Sequence, residues 1–199
     1  EYLQGPISSI KTPFTIDGEV DHEALRHQVE VIIANGSRTV LLTAGDSHLL
    51  SLVDAELVAV TRTVCEAAAQ RVMVVAADRS HATKHAVDFA RFARDAGADV
   101  IMTLPPNWGP SSTPEALAAH YRAVAAELPV MIVTGIFSAL GSPFALETIE
   151  RALENERVVA IKDDLCGDCA RRLCLLAYER VGLFAGGRKE NHLNMWPYG

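Results

Sequence analysis

An α/β fold of the TIM (β/α)8-barrel type is what the amino-acid sequence predicts, and three observations carry that expectation. Short apolar, β-branched runs recur along the chain, amphipathic segments with helix-cap signals separate them, and polar, glycine-bearing loops follow the C-terminal ends of the runs. At 199 residues, 49% hydrophobic and 22% charged, the chain has the length of one domain with a sizeable core, or at most of two small ones. A single, globular and soluble barrel domain over residues 1–199 is expected.

The first strand is expected at residues 7–11, and the first helix follows Asp21, a capping residue ahead of "HEALRHQVEVIIA", and closes at Asn35-Gly36. Strands at 39–43 and 72–76 flank a helix at 54–70, and a helix at 82–96 ends at Ala96-Gly97 before the strand at 99–103. Ser112-Thr113-Pro114-Glu115 then opens the helix "ALAAHYRAVAAEL", because a hydroxyl cap and a proline in the first turn both suit a helix start. Strands at 130–134, 158–162 and 183–186 alternate with helices at 143–154 and 168–180. The strands are apolar almost throughout, as parallel strands covered on both faces are.

A βα alternation is compatible with a doubly wound sheet as well as a barrel. The loops decide for the barrel: "TAGDSH", "DRSH", "LPPNWGP", "TGIFSALG", "KDDLCGD" and "GGRKENH" all follow strand C-termini, where a barrel carries its chemistry. Neither GxGxxG nor GxxxxGK[ST] is present, so no dinucleotide or nucleotide cofactor is expected. Seven strands fit before Gly199 and an eighth βα unit does not; a barrel open there exposes strand edges, so the chain is expected to be a C-terminally incomplete barrel, closed by further polypeptide or by another segment.

Charge and composition exclude several function classes. A formal net charge of -7 argues against a nucleic-acid partner, which needs Lys and Arg to neutralise phosphates. Residues 128–146 carry no charge, but Pro129, Gly135, Gly141 and Pro143 break them into strand and loop, so no membrane span is expected. The first residues, "EYLQGPISSIKTPF", lack the pattern of a signal peptide, and the expected compartment is the cytoplasm. The four cysteines, Cys65, Cys166, Cys169 and Cys174, are not expected to form a disulfide framework.

"KTPFTIDGEVDHEALRHQVEVIIANGSRTVLLTAGDSHLLSLVDAE", "AGADVIMTLPP" and "VVAIKDDLCGD" together resemble the dihydrodipicolinate synthase / N-acetylneuraminate lyase superfamily, enzymes of the class I aldolase type. The resemblance implies a TIM barrel, a homo-oligomer (dimer or tetramer), and a lysine ending strand six that forms a Schiff base with a small 2-oxo acid such as pyruvate. By position that lysine is Lys162. A loop after strand two that holds the oxo acid's carboxylate corresponds to Thr43, Ala44, Gly45 and Asp46, with one of the family's two hydroxyls kept at Thr43. On strand five Val133 and Thr134 stand where the family places a proton-relaying tyrosine, and Ser138-Ala139-Leu140 replaces the loop that carries a carboxylate-binding arginine. "WPYG" resembles the approach to an eighth strand.

The chemistry of the residues agrees with that role for Lys162. An amine attacks a carbonyl only when neutral, and the apolar "VVAI" ahead of Lys162 offers desolvation. The iminium then acts as an electron sink for a bond breaking or forming beside the former carbonyl. Asp163 and Asp164 oppose this if they lie close, and alternation along an extended segment allows them to point away. The bland alternative for Lys162 is a strand-end lysine snorkelling to water. Thr134 is the nearest hydroxyl for proton transfer, Gly187 permits close backbone approach, and Arg188 suits a second carboxylate or a phosphate. Asp46 either accepts a substrate hydroxyl or caps its turn.

Cys166 and Cys169 form a CxxC without a second half, which makes a redox or metal site the weaker reading, and His81 and His85 share a helical face without a carboxylate partner. No metal is expected. Trp108 is expected to pack in its loop or at a subunit contact. The leading function is therefore a Schiff-base lyase, aldolase or dehydratase acting on a small 2-oxo acid, pyruvate or a sugar-acid derivative. Two others stand beside it: a barrel that has lost catalysis and serves as a binding or assembly subunit, and a CxxC redox protein.

Overall fold

The computed structural model describes Leu3, residues 7–79, 82–165, 167–186 and 189–198. The chain falls into two compact units, Glu1–Arg79 with Asp88–Met102, and Ser80–Val87 with Thr103–Gly199. The division passes through the third helix and the end of the fourth strand.

The first unit holds β1 (Ser8–Ser9), α1 (His22–Ala34), β2 (Thr39–Leu41), α2 (Asp54–Ala68), β3 (Met73–Asp78), most of α3 (Thr83–Ala96) and all but the last residue of β4 (Val100–Thr103). Its strands follow one another in chain order, with β1 parallel to β2 and β2 parallel to β3. Parallel neighbours need a crossover, and the helices supply it. β1 is shorter than expected because only Ser8 and Ser9 pair with Val40 and Leu41, although the Ile10 N–H continues the ladder to Leu41 O at 2.9 Å. β3 runs on to Asp78, two residues past the expected end.

Cap chemistry sets the helix ends where the sequence places them. Asp21 accepts from Ala24 N at 2.9 Å, and Thr113 accepts from Ala116 N at 3.1 Å ahead of Pro114. At the close of α1 it is Gly36, with φ +84, that takes the left-handed conformation, while Asn35 stays at φ -85.

The second unit holds α4 (Pro114–Ala125), β5 (Val130–Val133), a 3-10 turn at Gly135–Ala139, α5 (Ser142–Ala152), β6 (Val158–Asp163), α6 (Asp168–Ala177), β7 (Gly182–Ala185), α7 (Lys189–Met195) and a last 3-10 turn at Trp196–Tyr198. β5, β6 and β7 are parallel neighbours in chain order. The β5–β6 register shifts between Val130↔Val158 and Met131↔Ala160, so Val159 is an extra residue in β6. Past this bulge Lys162 stands opposite Val133 on one side and Phe184 on the other.

α7 corrects the sequence expectation of a loop running towards an eighth strand. Residues 189–196 contain neither glycine nor proline, and Asn191 and Met195, one helical turn apart, are both buried. Met195 packs with Ala170, Cys174 and Leu183, which gives the segment a reason to be helical. "WPY" then forms a 3-10 turn. Among the described residues no helix is long and apolar enough to cross a membrane.

One buried group of the second unit makes folding pH-dependent. His120 on α4 is 1% exposed, packs edge-on against Trp108 and Tyr121, and shares a 3.0 Å hydrogen bond with Thr83 Oγ1. Trp108 thus packs against a helix of its own unit. Burial lowers the His120 pKa from 6.5 to about 4. The folded pKa lies below the unfolded one, so the stability contributed by the neutral imidazole is complete above pH 6.5 and lost as pH falls towards 4. Between these limits the loss is expected to reach about 3 kcal/mol, and His120→Gln should flatten that part of the profile. Urea unfolding at each pH checks it, and an unchanged profile in the variant overturns it.

Candidate active site

Three strand ends of the second unit converge on one lysine. Lys162 and Asp164 lie two residues apart on an extended segment, which puts them on the same side, while Asp163 between them turns to the other. Lys162 Nζ reaches both carboxylate oxygens of Asp164, at 2.7 and 2.8 Å, and the two side chains are 22% and 23% exposed. Of the two aspartates that alternation could have turned away, only Asp163 does so. Just past β7, Gly186 borders the pair: a Cβ there would overlap Asp164 Oδ1 and stand 2.9 Å from Lys162 Nζ. At Gly135, past β5, a Cβ would stand an ordinary 3.5 Å from the other carboxylate oxygen.

Behind the pair lies a buried network. Thr134 Oγ1 donates to Asp163 Oδ1 at 2.6 Å and accepts from Asp164 N at 2.9 Å, and Thr134 N donates to Lys162 O. Leu165 N also donates to Asp163 Oδ1, while Asp163 Oδ2 is buried with no partner among the described residues. Burial pushes the Asp163 carboxyl above its usual range, against the lowering effect of the Thr134 bond. The Asp163 carbonyl accepts from Gly186 N at 2.7 Å and from Asn191 Nδ2 at 3.0 Å, and Asn191 also reaches Gly186 O at 3.4 Å. The first turn of α7 therefore ties the ends of β6 and β7 together.

Thr134→Val keeps shape and removes the hydroxyl. It leaves the Asp163 carboxylate with one fewer donor and the Asp164 N–H without its acceptor, so a loss of about 3 kcal/mol is expected in urea unfolding at neutral pH. A change below about 0.5 kcal/mol would show that the network carries no stability.

The loop after β2 belongs to the first unit. Thr43 is buried, Ala44 half-buried, and Gly45 and Asp46 are exposed. Thr43 Oγ1 accepts from Asp46 N, and Thr43 N donates to Ser47 Oγ, which itself donates to Ile10 O. Thr12 Oγ1 donates to Ser47 O at 2.6 Å. Ser47 thus pins this loop to the strand-one segment, a role without a sequence signal beyond its being a hydroxyl in a turn. Asn191 also carried no signal, because its partners are backbone carbonyls at the ends of two strands.

Gly187, Arg188, Cys166 and His81 lie outside the described residues, and with them the expected distal contact, one half of the CxxC and one half of the histidine pair. His85 is exposed. Cys65, Cys169 and Cys174 are buried and free. Burial raises the Cys65 thiol to about 12 and, aided by the charge of Asp163, raises that of Cys174. Among the described residues no group of three or more His, Cys, Asp or Glu is arranged to hold a metal ion.

Residues 2–199 match the model of the Dihydrodipicolinate synthetase family. The chain belongs to that family. A 4-hydroxy-tetrahydrodipicolinate synthase of Chlorobium chlorochromatii is 32% identical over 164 residues, covering 81% of this chain and 55% of the relative. The crystal structure of dihydrodipicolinate synthase from Aquifex aeolicus superposes with a TM-score of 0.83 at 26% identity, over 98% of this chain and 67% of that one. That of the chloride-inhibited Acinetobacter baumannii enzyme complexed with pyruvate gives a TM-score of 0.77 at 26% identity, over 92% and 64%. The expected barrel class is thereby borne out. The chain spans a little over half the length of the Chlorobium relative.

Proposed function

We propose that this family member forms a Schiff base between Lys162 and a small 2-oxo acid, and works as a carbon–carbon or carbon–oxygen lyase, an aldolase or a dehydratase. The observation that carries the reading is the place of Lys162: a part-buried side chain at the C-terminal end of β6, opposite Val133 of β5 and Phe184 of β7 in strand register. A snorkelling lysine would send its ammonium into water; here the head group is drawn back against the strand ends by Asp164, whose carboxylate stabilises the ammonium and must take a proton from it before Nζ can attack a carbonyl.

Pyruvate or a sugar-acid derivative is the proposed substrate class, and the pyruvate held by the Acinetobacter enzyme supports it. In this reading the loop of Thr43, Ala44 and Gly45 receives the oxo acid's carboxylate, Asp46 accepts a substrate hydroxyl or caps its turn, and Gly187 and Arg188 receive the distal end. Thr134 acts through Asp163 and the Asp164 N–H, holding the strand end in shape. A homo-oligomer is part of the proposal, as the family resemblance implies.

The test is reductive trapping. The polypeptide is incubated with pyruvate and a panel of longer 2-oxo acids, reduced with borohydride, and mapped by mass spectrometry. An adduct on the peptide containing Lys162 is the expected result. Absence of an adduct across the panel overturns the reading in favour of a binding or assembly subunit.

A further inference from the structure

We propose that Asp164 is the acid–base group of the Schiff-base chemistry, exchanging protons with Lys162 Nζ and with the oxygen that leaves the substrate carbonyl. The inference rests on the Schiff-base reading above. Imine formation needs a group that removes a proton from the lysine ammonium and later protonates a departing hydroxyl, within hydrogen-bond reach of both atoms. Asp164 meets the first requirement directly, with both oxygens on Nζ at 2.7 and 2.8 Å. At 23% exposure its side chain stays open to solvent beside Nζ, so a carbonyl that meets Nζ from solvent meets the carboxylate as well. Thr134 is committed elsewhere, its proton on Asp163 and its lone pair on Asp164 N.

Two strand ends hold the pair in register. Thr134 on the β5 side takes the Asp164 N–H, and Gly186 on the β7 side leaves the volume that the Asp164 carboxylate and the lysine head group occupy. A side chain at 186 would remove that volume, so the backbone is shaped around the ion pair.

In the first step the Asp164 carboxylate takes one proton from the Lys162 ammonium, giving an amine and a carboxylic acid. The Nζ lone pair attacks the carbonyl carbon, the C=O π pair moves to oxygen, and Asp164 protonates that oxygen. Asp164 then takes a proton from the charged nitrogen of the adduct, leaving a neutral carbinolamine. It returns this proton to the hydroxyl as the C–O bond breaks and the nitrogen lone pair forms the C=N bond. One water leaves, an iminium remains on Lys162, and Asp164 ends as carboxylate; no oxidant, reductant or further reactant is needed.

The experiment compares the rate of borohydride-trappable adduct formation from pyruvate in wild type, Asp164→Asn, Asp164→Glu and Lys162→Ala across pH, with circular dichroism establishing that each is folded. Asp164→Asn keeps size and a hydrogen-bond acceptor but cannot cycle a proton. It is expected to label about 100-fold more slowly and to lose an ionisation from its rate–pH profile, and Asp164→Glu is expected to recover part of the rate. A merely structural aspartate would leave the profile unchanged. Equal or faster labelling in Asp164→Asn overturns the assignment and makes Asp164 an internal carboxylate that shields Lys162. No labelling of the wild type overturns the Schiff-base reading itself, and the assignment with it.

Discussion

Lys162→Ala is expected to abolish the trapped adduct and to lower turnover of any 2-oxo acid substrate by roughly 100,000-fold, the scale on which removal of a nucleophile acts. The amine is the one atom of the proposed chemistry that no neighbour can replace: Val133 and Phe184 beside it are apolar, and Asp164 cannot form an imine. The loss should not come from unfolding. Lys162 and Asp164 retain about a fifth of their exposure, so removing the cation costs about 1–2 kcal/mol, between the values of surface and buried pairs. Lys162→Met, which keeps the apolar stem packed, should show the same loss of adduct with less change in the unfolding midpoint. Trapping and urea unfolding on the same samples check both parts; residual adduct on another lysine would move the proposed nucleophile.

Gly186→Ala is the next most damaging change expected, although it touches no atom of the substrate. The new methyl would overlap Asp164 Oδ1 and lie 2.9 Å from Lys162 Nζ and 3.2 Å from Asp164 Cγ. The backbone cannot retreat, because Gly186 N donates to Asp163 O at 2.7 Å and Gly186 O faces the Asn191 amide. The carboxylate must swing away and the ion pair must open. Adduct formation is expected to slow by about 100-fold, as in Asp164→Asn. An overpacking cost of about 1–3 kcal/mol should appear in unfolding as well. The same labelling assay reads it. Wild-type labelling in Gly186→Ala would show that the pair's geometry is not needed.

Much of the fold is legible in the sequence, for a reason that lies in βα architecture itself. The inner strands β2 to β6 are buried almost throughout and each helix on one face, so apolar runs and amphipathic segments mark themselves locally. Asp21, Thr113 and Gly36 add caps that depend only on neighbouring backbone. α7 escaped because it is only 7 residues long and draws its stability from Met195 against Ala170, Cys174 and Leu183, partners spread over distant segments.

The candidate site is legible only in part. Alternation in "IKDD" allowed both aspartates to point away from Lys162; Asp163 does, towards Thr134, but Asp164 returns to the lysine's side and closes on Nζ. Thr134 reads as a stand-in for a missing hydroxyl when taken by position, whereas its bonds tie it to Asp163 and the Asp164 backbone.

The alternation of strands and helices, the caps, and the place of Lys162 at a strand end are written in the amino-acid order, because each of these is settled within a few residues. What surrounds the amine is not. The bulge at Val159, the Asp164 clamp, the cleared volume at Gly186 and the Asn191 tie appear only once strand ends far apart in the chain have met. Such features are set by register and packing between strands, and those are properties of the folded sheet.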